Sequence, residues 1–135
     1  MALGLRSSRS WMFFLAGIVA IGILSRVVHT GLVVFDKYLG DALYATMVYA
    51  ILRLLSRAAS SSAVCAMVVM TAIELFQLTM IPAHMLSSQH LMTRICARLM
   101  GVEFSFLDLL AYGAGIACIY LVDSSQPKGE EDSAA

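Results

Sequence analysis

The sequence predicts an all-α membrane protein, with four transmembrane helices in an up-down bundle and an amphipathic interfacial helix between the third and fourth. Three observations predict it. Apolar residues make up 60% of the 135 residues and charged ones only 13%, a composition of the membrane class. The apolar residues gather into four blocks near the roughly 20 residues that cross a bilayer as a helix. Between the last two blocks, Leu91, Ile95 and Leu99 recur every fourth residue while Arg94 and Arg98 recur on another face, the pattern of a helix lying in a membrane surface.

The first span runs from about Trp11 to Val28. An interfacial tryptophan opens it and Arg26, whose long side chain can snorkel, closes it. Arg6 and Arg9 precede it as in a secretory signal, but no small-x-small cleavage site follows, so the helix is expected to stay. The second span covers about 40–55 and ends at Arg53 and Arg57. Ser56 to Ser62 is a small-residue turn, and the third span, about 63–81, stops at Pro82. The amphipathic stretch follows, with Ser87 or Ser88 as its N-cap, and lies in the interface or closes over a site as a lid. The fourth span covers about 104–122. Residues 1–122 thus form one transmembrane domain, and 123–135 a polar tail too poor in apolar residues to fold.

Several function classes fall away. Formal net charge is zero, so nucleic acid is not an expected partner. Cys65, Cys96 and Cys118 are odd in number and widely spaced, which does not make a disulfide framework. His84, His90, Met80, Met85, Met92 and Cys96 are soft ligands of the kind that takes copper(I), but no tight spacing unites them and packing explains them better. No phosphate loop, nucleophile elbow or zinc motif is present. The expectation is no cofactor, no metal and no named catalytic residue, which leans against an enzyme.

The informative residues are the polar ones inside the spans. Glu74 lies within an apolar run, where a charge costs roughly 2.5–3.5 kcal/mol by insertion scales. Gln77 shares its helix face at i+3. Asp41 and Tyr44 are spaced i, i+3 at the start of the second span; Ser105, Asp108 and Tyr112 form a stripe on the fourth. With up-down connectivity all of these fall in one half of the membrane, beside Lys37, Arg94 and Arg98, and the other half is expected to hold almost no ionisable group within its spans. Lipid cannot satisfy such groups, so they predict a polar pocket opening to one side. Lys37, Asp41, Tyr44, Glu74, Gln77, Arg94, Arg98, Asp108 and Tyr112 are its candidate residues. Three uses remain open: a ligand pocket, carboxylates paired with Arg26, Lys37, Arg94 and Arg98 as bundle glue, or a proton relay through Glu74.

Three strings also carry a resemblance: Lys37-Tyr38-Leu39-Gly40-Asp41-Ala42-Leu43-Tyr44-Ala45, Ile73-Glu74-Leu75-Phe76-Gln77-Leu78, and Gly101 through Tyr112. Together they resemble a family of small bacterial integral membrane proteins catalogued only as a domain of unknown function, and look like a divergent relative of the VanZ-like proteins, whose name comes from teicoplanin resistance. The resemblance covers about Arg26 to Val122. It implies a bacterial inner-membrane protein and points to Lys37, Gly40, Asp41, Glu74, Gln77, Phe104, Asp108 and Tyr112. The chain departs from the VanZ-like pattern at Gly40, where a histidine is usual; Arg94 or Arg98 takes the place of an arginine expected in the third–fourth connector.

The reading that follows is recognition of an envelope lipid or amphiphile, its anionic head group meeting Arg94, Arg98 and Lys37. The rivals are a small proton-coupled transporter using Glu74, which with four helices would need a homo-oligomer, and a structural or accessory membrane subunit. Lys and Arg counts lean by a single charge toward both termini in the cytoplasm.

Overall fold

The structure, a computed structural model, describes residues 7–28, 30–55 and 58–126, without the side chains of Arg26, Val33 and Val34. The expected roles of Arg6, Arg57 and the Arg26 side chain therefore lie outside what is described, as does the tail beyond Gln126.

Among the described residues six helices follow in order: α1 (Ser8–Val27), α2 (Val33–Leu55), α3 (Ala59–Gln77), α4 (Ile81–Leu86), α5 (Leu91–Met100) and α6 (Phe106–Ser124). The described residues are helical with no strand. Four of the helices, α1, α2, α3 and α6, are long and apolar enough to cross a membrane, and they form the predicted bundle. Their outward faces carry exposed Phe13, Val64, Val68, Leu110 and Leu121, as a lipid-facing surface requires.

Helix α2 is central and packs against α1, α3 and α6. Small residues permit its close approach to α6. A Cβ added at Gly115 would lie 3.0 Å from Ala42 Cα and closer still to the Ala42 carbonyl oxygen. Gly113, two residues earlier on the same helix, faces open space. Around this contact Ala45, Tyr49, Ala66, Met70, Ile116 and Ile119 form the buried core.

Several helix ends differ from the sequence expectation for local reasons. Helix α2 starts at Val33, well before Gly40, because Asp36 is an acidic first-turn residue that also accepts hydrogen bonds from the backbone N–H and hydroxyl of Thr30. Helix α3 starts at Ala59, inside the serine run, where Ser61 and Ser62 hydroxyls return hydrogen bonds to the Ala58 carbonyl. It ends at Gln77. Met80 then adopts a left-handed conformation (φ 61°), and Pro82 stands in the first turn of α4 instead of stopping α3. Pro is tolerated there because that N–H has no helical partner.

Helix α5 is the amphipathic one, with Leu91, Met92 and Leu99 exposed and Ala97 buried. His90, not a serine, precedes it as the cap residue. It packs on α4, which in turn rests on α3. Gly101 (φ 80°) ends it, in backbone space that an L side chain rarely occupies.

Candidate functional site

The up-down order places the starts of α2 and α6 and the end of α3 at one end of the bundle. Between them and the α5–α6 connector lies a cavity of about 530 Å³. Lys37, Asp41, Tyr44, Gln77, Arg98, Asp108 and Tyr112 are all in its wall, joined by Ser25, Asp36 and Glu103. Seven of the nine residues singled out in the sequence thus meet in one place. Arg94 does not: it is exposed on α5 and outside the wall, because it stands one helical turn before Arg98 on a helix that meets the cavity with its last turn. Glu74 is a neighbour of the cavity, bonded to two of its walls, and is not itself a wall residue.

Glu74 is completely buried. Its Oε1 accepts a 2.6 Å hydrogen bond from the Tyr112 hydroxyl and a longer one, 3.4 Å, from Gln77 Nε2. Its Oε2 accepts the backbone N–H of Ser105 at 3.3 Å. Ser105 is the N-cap of α6, so the carboxylate sits at a helix N-terminus, where unsatisfied N–H groups and the helix dipole favour negative charge. The donors that hold it are a phenol, an amide and a backbone N–H.

Asp108 is where a cation is found. Lys37 Nζ lies 3.1 Å from its Oδ1, with the lysine side chain 48% exposed and the aspartate 8%. The lysine also lies 5.5 Å from the Tyr38 ring centroid, within cation–π range. The pair is therefore open to solvent on the lysine side and buried on the aspartate side.

Gln77 links the wall to the connector. Its Nε2 donates to the Met100 carbonyl at 2.7 Å, tying α3 to the end of α5. Its Oε1 is buried and has no hydrogen-bond partner among the described residues. A buried acceptor left unmet costs about 1–3 kcal/mol.

A second polar cluster occupies the opposite end of the bundle, where almost no ionisable group was expected within the spans. Asp123 does not begin a free tail; it is buried in the last turn of α6. Arg53 reaches it with two N–H groups, Nε at 2.5 Å and Nη2 at 3.0 Å, and the Tyr49 hydroxyl donates to the same carboxylate at 2.5 Å. Trp11, expected at the membrane interface, is buried and packs its ring over Arg53, 5.4 Å from the guanidinium carbon. The signal for this clasp was in the helix order: α2 and α6 run in the same direction, so their C-terminal Arg53 and Asp123 share one end. Among the described residues no group of three His, Cys, Asp or Glu side chains is placed to hold a metal ion.

A family model described as a protein of unknown function (DUF2809) matches residues 31–116. The chain belongs to this family. Every cavity-wall residue except Ser25 lies within the matched segment, whereas Trp11 and Asp123 of the clasp lie outside it. No curated protein and no solved structure matches the chain.

Proposed function

We propose that this membrane protein binds the head group of an envelope lipid or amphiphile in the cavity between α2, α6 and the end of α3. The observation that carries the reading is a head-group-sized cavity with charged walls at one end of a bundle whose outer surface is apolar. The volume is within the range of small-molecule sites. Arg98 in the wall and Lys37 over Asp108 supply cations for an anionic group. The amphipathic α5, which bears Arg98, has the exposed apolar face of a helix seated at head-group depth. Arg94 belongs to that outer surface and drops out of the ligand set. A bacterial inner membrane with both termini cytoplasmic, and kinship with the VanZ-like proteins, remain part of this proposal.

The test is lipid analysis of the purified protein. A phospholipid enriched over the bulk membrane is expected, reduced several-fold by Arg98→Ala and unchanged by Arg94→Ala. Absence of any enriched lipid, together with no response to Arg98→Ala, would sink the reading.

A structural or accessory role has support at Glu74. Three donors hold it, an arrangement that fastens α3 to α6. On that reading Glu74 and Asp108 matter for stability alone, and variants that keep the fold keep every function. A proton-coupled carrier gains less, since Glu74 lies behind the wall.

A further inference from the structure

We infer that the head group taken by this cavity is one that brings N–H or O–H donors to its inner wall, an ammonium or a hydroxyl; the inference rests on the lipid-binding reading above. It starts from the orientation of one amide. Gln77 is 3% exposed, and its Nε2 faces two groups that only accept, the Met100 carbonyl oxygen at 2.7 Å and Glu74 Oε1 at 3.4 Å. Turning the amide over would set oxygen against oxygen at both contacts, so the nitrogen is fixed there by the network. The oxygen is then fixed as well. It is a buried acceptor with no partner among the described residues, on a side chain that walls the cavity.

Two nearby donors already hold acceptors: the Tyr112 hydroxyl gives its proton to Glu74, and the Lys37 ammonium gives one of its three N–H groups to Asp108. Its others and the Arg98 guanidinium are left for the anionic part of a head group. The wall also holds the carboxylates of Asp41 and Asp108, acceptors that keep further lone pairs whatever partners they hold. Gln77 Oε1 and these carboxylates thus ask an occupant for protons to share. Ethanolamine brings three N–H donors and glycerol brings two hydroxyls, while a choline group of the same charge as ethanolamine brings none.

The experiment is native mass spectrometry of the full-length protein in detergent, offered phospholipids with identical acyl chains in two charge-matched pairs. Phosphatidylethanolamine competes with phosphatidylcholine, and phosphatidylglycerol with phosphatidylmethanol. The donor-bearing member of at least one pair is expected to be retained roughly fivefold over its partner, the scale of one hydrogen bond. Preference in the first pair assigns an ammonium, and preference in the second a hydroxyl. Gln77→Leu is expected to flatten that ratio, whereas Arg98→Ala lowers retention of both members together. Equal retention within both pairs overturns the inference and leaves lipid binding standing, as does an unchanged ratio in a folded Gln77→Leu protein. Retention of none of the four lipids counts instead against the lipid-binding reading itself. If Gln77→Leu does not fold, the wild-type competition decides alone.

Discussion

Glu74 shows how a membrane bundle holds a carboxylate without an arginine. The cost of taking its charge out of water is offset by a phenol, an amide and the N-cap backbone N–H of α6. Tyr112→Phe removes the shortest of these bonds while keeping the ring, and is expected to lower unfolding free energy by about 1.5–3 kcal/mol, the worth of a hydrogen bond to a charged group. Denaturation in mixed micelles measures it. At the other end, Arg53 and Asp123 form a pair with side chains 15% and 3% exposed. Losing one partner strands the other, so Asp123→Ala is expected to cost about 3–5 kcal/mol. A double variant, Arg53→Met with Asp123→Leu, is expected to recover much of that loss. Recovery no better than the single variant would show that Tyr49 and Trp11 depend on the charges and not on packing alone.

The helices were legible wherever hydropathy decides, and their ends were not. The second span reads as beginning at about residue 40 because charges lower any window average, yet Asp36 and Lys37 stand in the first turns of α2, where Asp36 suits the helix dipole and Lys37 reaches Asp108. Pro82 reads as a stop, but it fits the first turn of a new helix. Asp123 heads a polar string and so looks like tail; only the parallel course of α2 and α6 shows its partner. The cavity was legible for a simple reason. Depth follows from position in an up-down bundle, so Asp41, Gln77 and Asp108 had to share an end. Arg94 and Arg98 could not be told apart, because the rotation of α5 against the bundle is a packing outcome.

At the same scale, the junctions of the α4–α5 unit make a contrast. Gly101 has φ 80° and a Cβ there would lie 3.0 Å from Gln77 Nε2, so Gly101→Ala is expected to lower the thermal midpoint and to disturb the Gln77–Met100 bond. Met80 holds φ 61° with a full side chain, and Met80→Gly is expected to be neutral or stabilising by up to about 1 kcal/mol, since left-handed backbone costs an L residue that much. Thermal unfolding of the two variants side by side checks both signs.

The whole molecule is polarised. One end is closed by the Trp11–Arg53–Asp123 clasp, and the other carries the open cavity and the amphipathic α5. The chain has a single tryptophan, and it is in the clasp. Its emission is therefore expected to be shielded from aqueous acrylamide in the wild type and to gain quenching in Asp123→Ala, whereas Arg98→Ala at the far end leaves it unchanged. Equal quenching in all three would mean that the two ends do not behave as separate sites.

On the proposed function, a lipid head group sits between the starts of α2 and α6 and the end of α5. A phospholipid with a photoreactive group on its head, cross-linked in membranes and mapped by peptide sequencing, tests that placement most directly. Adducts concentrated on residues 36–44 and 98–108 are the predicted result. Adducts spread over the lipid-facing Phe13, Val64 and Leu110, with none on the cavity walls, would contradict it.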